Sequence, residues 1–194
     1  MVEEKRDKRE LILEAAAVVF AQRGYHQAKV EEIAIQAGIG KGTVYEYFSS
    51  KLELFQEMFK SILGKYFAEL RSLQDQRGSV TERLRQLLEI HLDFINRNSD
   101  FARVTFVDGA VMDEELSWWM YRQRQEKVER LRELFQEGIA RHEFRPIDPG
   151  LLAEMFTGAM AAIIIPVLME GKTVEPHKIA DQVMDILLHG VRLD

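Results

Sequence analysis

No stretch of this 194-residue chain alternates apolar and polar residues for long, and none of its four prolines precedes Pro146. A half-buried strand repeats every two residues and an amphipathic helix every 3.6, so the pattern selects helices. Leu11, Ile12, Ala15, Ala16, Val19 and Phe20 form one helical face, with Gly24 as the stop. Residues 30–37 read as a second, short helix ended by Gly38, and residues 43–48 as a third. Ser50-Lys51-Leu52-Glu53 is a capping box opening a fourth helix, with Phe55, Phe59, Ile62, Tyr66, Leu70 and Leu73 on one stripe. A second box, Ser79-Val80-Thr81-Glu82, opens a fifth carrying Leu84, Leu87, Leu88, His91 and Ile95. Residues 101–112 are apolar and broken by Gly109, which reads as a bent helix. A long helix over about 114–140 follows, with Trp118, Tyr121, Val128, Leu131 and Phe135 inward. Asp148-Pro149 is an N-cap with proline at the first helical position, opening a helix that ends near Gly171. Ile163-Ile164-Ile165 is the strand-like run inside it, and Pro166 is predicted to kink it. Residues 176–190 form the last helix, with Ile179, Val183, Ile186 and Leu187 apolar. The fold class is all-α, about nine helices.

Composition narrows the chemistry. With no cysteine, disulfides, thiolate nucleophiles and zinc–thiolate sites are excluded. The five histidines form no metal-ligand spacing, Ser, His and Asp form no nucleophile motif, and no cofactor or enzymatic activity is expected. The longest uncharged run, residues 155–169, is shorter than the roughly 20 residues of a membrane span and reads as a buried helix. Glu3, Glu4, Asp7 and Glu10 are wrong for a positive leader, so a cytoplasmic protein without membrane contact is expected. The formal charge of −6 argues against a nucleic-acid partner only as an average. The first 51 residues hold 8 basic and 8 acidic side chains, and the remaining 143 hold 18 and 24. The acidity belongs to the second part, where it weakens nonspecific adhesion to DNA.

Residues 30–48 read VEEIAIQAGIGKGTVYEYF. Two short helices around a glycine turn make a helix-turn-helix, whose second helix enters the DNA major groove. Ile33, Ala34, Ala37, Ile39, Val44 and Phe48 fix the helix angle, and Gly38 suits a left-handed turn position. Lys41, Thr43, Tyr45 and Tyr47 are left for the outer face, with groups suited to phosphates, sugars and base edges. The backbone N–H groups of Gly42 and Thr43 favour a phosphate as well. Gly38-Ile39-Gly40-Lys41-Gly42-Thr43 is not a nucleotide loop, because no strand precedes it and glycine follows the lysine.

Gly24-Tyr25, Ile33-Ala34, Ala37-Gly38-Ile39, Lys41-Gly42-Thr43-Val44-Tyr45, Tyr47-Phe48 and Ser50-Lys51 resemble the DNA-binding domain of the TetR/AcrR transcriptional regulators, over roughly residues 9–55. The resemblance implies that Lys41, Thr43, Tyr45 and Tyr47 contact DNA and that Lys51 holds a phosphate. Lys29 stands where a Thr or Ser usually caps the second helix, which removes a cap of about 1 kcal/mol and offers a lysine to a phosphate instead. Gly40 replaces a common Ser, and Leu52 a common acid. The implied organisation is a three-helix DNA-binding domain over residues 1–50 and a helical ligand-binding and dimerisation domain over 51–194.

One helix-turn-helix is too small for useful specificity, so a homodimer on a pseudo-palindromic double-stranded operator is expected. Gly158 and Ala162, beside Ala159 and Ala161, permit close helix approach, and Val183, Ile186 and Leu187 add an apolar stripe. The resemblance further implies a small ligand that moves the fourth helix. Its pocket is expected among the fourth, fifth and 114–140 helices, with Tyr66, His91, Phe94, Phe106 and Trp118 as walls. Such walls suit a small hydrophobic effector, drug-like or fatty-acyl. The function expected is a ligand-responsive DNA-binding regulator, a repressor released by that effector. The alternative is a helical ligand-carrier or protein-interaction module without DNA binding.

Overall fold

The computed structural model describes residues 7–72, 78–98 and 113–190, which form eight helices and no strand. They are α1 (Lys8–Gln27), α2 (Val30–Gln36), α3 (Lys41–Tyr47), α4 (Lys51–Ser72), α5 (Val80–Arg97), α6 (Glu114–Ala140), α7 (Pro149–Glu170) and α8 (Pro176–His189). The helix expected over residues 101–112, with Phe106, lies outside the described residues. Contacts divide the chain into two compact units, residues 7–65 with 113–116 and residues 66–98 with 117–190. Helix α4 supplies residues to both.

In the first unit the regular helix breaks at Gly24 as read, with φ 71° and ψ 168°, and a short helical turn follows the kink to Gln27. Ile12, Ala16, Phe20, Ile33, Val44, Leu54, Phe55 and Met58 are almost fully enclosed and make the core. Phe20 meets Phe55 edge-on at 5.1 Å, and Tyr25 meets Phe55 at 5.3 Å. Arg9 of α1 pairs with Glu57 of α4 and lies over the Phe48 ring. Gln56 donates to Asp113 (2.8 Å) and Lys60 to Glu115 (3.0 Å), which holds the start of α6 against α4. The box at α4 is shifted by one residue. The Glu53 amide donates to Ser50 Oγ (3.0 Å), while the Glu53 carboxylate accepts from the Ser49 N–H (2.6 Å).

In the second unit the α5 box forms as read, with reciprocal bonds of 3.2 Å between Ser79 and Glu82. Helix α5 packs against α8 and α7 through Leu84, Leu88 and Leu92 on its buried face. Asn96 fixes the chain before α8 by donating to the Val174 carbonyl (2.8 Å) and accepting its N–H (3.2 Å). Asp148 caps α7 by accepting from Gly150 N–H (2.7 Å) and Leu151 N–H (3.3 Å). That helix continues through Pro166 to Glu170 and ends at a left-handed Gly171.

Two sequence expectations are corrected here. Helix α7 is not buried all round: Ala153, Phe156 and Met160 are enclosed, but Leu151, Met155 and Ile165 are more than half exposed. It is the one described helix long and apolar enough to cross a membrane, yet one side is packed and the other open. In α6 the inward side carries Leu116, Leu131, Leu134 and Phe135, while Trp118 and Tyr121 stand outward at 54% and 51% exposure. The sequence places apolar residues on more than one face of that helix, so periodicity did not single out the buried one.

Two helical glycines predict opposite outcomes. Gly64 has open space where a Cβ would go, so Gly64→Ala should stabilise by up to about 1 kcal/mol through helix propensity. A Cβ on Gly138 would collide with the Phe144 ring, and backbone bonds to the Gly138 carbonyl hold Phe144 in place. Gly138→Ala should therefore cost about 1–3 kcal/mol. Urea titration of both variants checks this, and the two midpoints should move in opposite directions.

Candidate nucleic-acid interface and ligand cavity

Helix α2 ends in the turn the sequence demanded. Gly38 adopts φ 68°, the Ile39 N–H reaches back to the Ala34 carbonyl (3.0 Å), and the Gly38 N–H reaches Ile35 (3.1 Å). This paired closure fixes the exit angle, and Val44 and Phe48 of the next segment drop into the core. Lys29 makes no side-chain cap, since an ammonium cannot accept; Glu32 instead accepts from the Lys29 backbone N–H at 3.1 Å. Half of a capping box survives, and the Lys29 side chain is left exposed.

The outer face of α3 presents Tyr45 and Tyr47 at 44% and 39% exposure, with Gly42 open beside them and Thr43 half-buried. The Thr43 N–H donates to the Gly40 carbonyl (3.0 Å), so of the two amides expected to face a phosphate, that one is engaged. Lys41 bonds Glu31 of α2 and lies 5.7 Å over the Tyr45 ring. The hydrogen bond lowers the Glu31 carboxyl and raises the Lys41 ammonium, each from its ordinary value. Lys51 is half-buried and closes α1: its Nζ donates to the carbonyls of His26 (3.1 Å) and Ala28 (2.8 Å) and sits 4.7 Å over Tyr25. The Glu31 partner and the Lys51 clamp carried no sequence signal that composition or spacing could reveal. Ile35 on α2 is 78% exposed.

In the second unit Tyr66, His91 and Phe94 come together and are buried. Tyr66 stacks on Phe94 at 4.5 Å, and its hydroxyl bonds His91 Nδ1. Burial, and then the charge of Lys127, hold His91 down to about 3, while burial pushes the Tyr66 phenol up. This trio is core beside the cavity and does not line it. One cavity of this unit, about 40 Å³, is walled by Phe67, Leu70, Leu87, Leu131, Leu134 and Met160, with Arg71, Gln123, Glu126, Lys127 and Arg130 at its polar side; another, about 210 Å³, lies against Phe135, Phe144, Ile147 and Leu187. Trp118 is outside it, meeting Tyr121 edge-on at 5.7 Å, whereas Trp119 reaches Phe67 at 6.4 Å. Among the described residues no cluster suits a metal.

Of the residues expected to meet a second copy, Gly158, Ala162 and Ile186 are exposed, and Val183 and Leu187 are half-buried. Leu151, Met155, Gly158, Ala162 and Ile165 are all exposed on α7 at alternating four- and three-residue spacing. That seam includes the expected Gly158 and Ala162 and follows coiled-coil spacing.

Residues 12–58 match the bacterial regulatory proteins of the tetR family, and residues 77–191 match the tetracyclin repressor-like C-terminal domain. The chain belongs to the TetR family. This TetR chain is 25% identical over 191 residues to the fatty acid metabolism regulator protein of Bacillus subtilis, covering 98% of each. Its fold matches the fatty acid degradation regulator FadR from Bacillus halodurans at a TM-score of 0.76, with 28% identity, covering 94% of this chain and 99% of that one. It also matches FadR from Bacillus subtilis in complex with stearoyl-CoA at 0.78, with 24% identity, covering 94% and 99%. That last likeness concerns fold.

Two outcomes are expected of this TetR protein. Glu31→Gln releases Lys41 for phosphate, so operator affinity should rise and the log–log salt slope steepen by about one. Fluorescence anisotropy across a salt series measures both. For His91, the unfolded chain takes up a proton near pH 6.5 that the folded chain refuses until about 3. Stability should fall as pH drops through that window, by up to about 1.4 kcal/mol per unit, and His91→Gln should flatten the fall. Urea midpoints at pH 7, 5.5 and 4.5 report it; an equal slope in both proteins would contradict the assignment.

Proposed function

We propose that the protein is a cytoplasmic, non-enzymatic transcriptional repressor. It binds a pseudo-palindromic operator as a homodimer and leaves it when a long-chain acyl effector enters the second unit. Family membership supports the DNA-binding role, and the two fatty-acid regulators among its relatives support the effector class. The open faces of Tyr45 and Tyr47 suit base and sugar contacts, with Lys29, Lys41, Gly42, Thr43 and Lys51 on the phosphate side. For Lys41 and Lys51 this means exchanging Glu31 and two backbone carbonyls for phosphate oxygens. The exposed α7 seam and Ile186 supply the apolar surface that dimerisation covers.

One observation carries the regulatory step. Helix α4 is continuous, with Leu54, Phe55 and Met58 in the first core and Phe67 and Leu70 in the cavity wall. A cavity of about 40 Å³ holds water but no acyl chain, which needs a site of about 300 Å³ or more. Entry must therefore displace walls, α4 among them, so effector and operator favour different conformations and oppose each other reciprocally.

The test is selection of a duplex from random sequences, followed by anisotropy titration with and without stearoyl-CoA or oleate. Operator affinity should fall about 5- to 150-fold with effector, the usual range of such couplings. Tyr45→Ala should abolish operator binding while leaving effector binding intact. Failure to retain any duplex while effector still binds would establish the carrier reading instead. Val183→Asp should weaken the dimer in sedimentation and the operator complex with it.

A further inference from the structure

Lys127 lies on the wall of the apolar cavity, largely withdrawn from water, where a methionine or leucine would complete the lining at no electrostatic cost. The acids around it are committed elsewhere. Glu126, its neighbour on α6, sits 3.1 Å from Arg130 and 3.8 Å from Arg71, and Glu154 of α7 holds Arg124 at 2.6 Å. Among the described residues no carboxylate pairs with Lys127. Burial, with repulsion from Arg124, brings its ammonium down to about 8, which is the signature of a cation that the resting protein does not satisfy. The polar side of the cavity thus sets three cations, Arg71, Lys127 and Arg130, against the single carboxylate of Glu126. An occupant of matching chemistry is an apolar chain joined to an anion.

We propose that Lys127 is the head-group reader of this cavity, taking the anionic group of an acyl amphiphile whose chain displaces the apolar walls. The inference rests on the effector reading above and adds the residue that distinguishes a charged ligand from a neutral one of equal length. A free carboxylate and a coenzyme A phosphate share the required chemistry. A partner anion would restore what the buried ammonium lost on leaving water, so the affinity gained is specific to charge and not to chain.

Direct binding to the full chain without DNA tests this, by calorimetry with oleate, oleoyl-CoA and oleyl alcohol on the wild type, Lys127→Met and Lys127→Arg. Lys127→Met should weaken the charged ligand about tenfold or more, leave oleyl alcohol unchanged or tighter, and raise Tm without ligand. Lys127→Arg should retain the charged ligand. A loss confined to oleate assigns the carboxylate as the anion; a loss confined to oleoyl-CoA assigns the phosphate. Unchanged affinity for both anions in Lys127→Met, or an equal loss for oleyl alcohol, overturns the proposal, as does a lowered Tm with ligand binding intact. If the wild type binds none of the three, the acyl-effector reading itself fails; if the wild type binds and the Met variant is indifferent, only the role of Lys127 does.

Discussion

A single helix that must satisfy two cores constrains everything else in this protein. Helix α4 buries Leu54, Phe55, Met58 and Phe59 in the first unit, then Tyr66 and Leu70 in the second. The spacing of Phe55, Phe59, Ile62, Tyr66 and Leu70 keeps to one stripe of that helix. Its N-terminus is held by Lys51 on the α1 carbonyls and by Glu53 on Ser49. The short turn after the Gly24 kink presents the His26 and Ala28 carbonyls to Lys51. A lysine with two carbonyl acceptors and an aromatic face beneath it is a structural clamp as well as a candidate phosphate ligand.

Local chemistry was legible in the sequence and tertiary choice was not. The Ser79–Glu82 box, the Asp148-Pro149 start and the left-handed Gly38 and Gly171 each depend on a few adjacent residues, and each forms. At α4 the Glu53 amide reaches Ser50 as the box requires, while its carboxylate takes the N–H and hydroxyl of Ser49. The family assignment followed from the helix-turn-helix, whose apolar set is dense and ungapped. Cavity walls were harder. Tyr66 and Phe67 are adjacent and both aromatic, yet a 100° step along the helix sends Tyr66 to His91 and Phe67 to the cavity. Trp118 and Trp119 divide in the same way, one outward and one toward Phe67. No composition rule chooses between such neighbours; the packing of the facing helices does.

The histidine and the lysine of the second unit show how one low-dielectric region treats two bases differently. His91 can shed its charge and still serve, because neutral Nδ1 accepts from the Tyr66 hydroxyl, and that bond orders the core. Lys127 has no such neutral role to play. A lysine carries no acceptor while protonated and gains nothing from the apolar wall beyond its methylene stem. Its position therefore weakens the resting fold, in contrast to the His91–Tyr66 pair, which completes it. Residues that break local consistency without compensation belong at binding sites more often than in scaffolds.

The same logic of exchanged partners applies at the DNA face. The acidic body and balanced head gave little net attraction for a polyanion, and in the free protein the cation at the start of the recognition helix is already paired. In the proposed complex Lys41 exchanges the Glu31 carboxylate for a phosphate, one anion for another, so the exchange itself yields little free energy. Whatever drives the exchange must come from groups that gain a partner only on a fitting duplex. In the proposed complex Tyr45 and Tyr47 are such groups, since their exposed side chains meet sugars and base edges only when α3 is seated in the groove. On the reading proposed above, two heads must fit the operator at once, and an effector acts by spoiling their match.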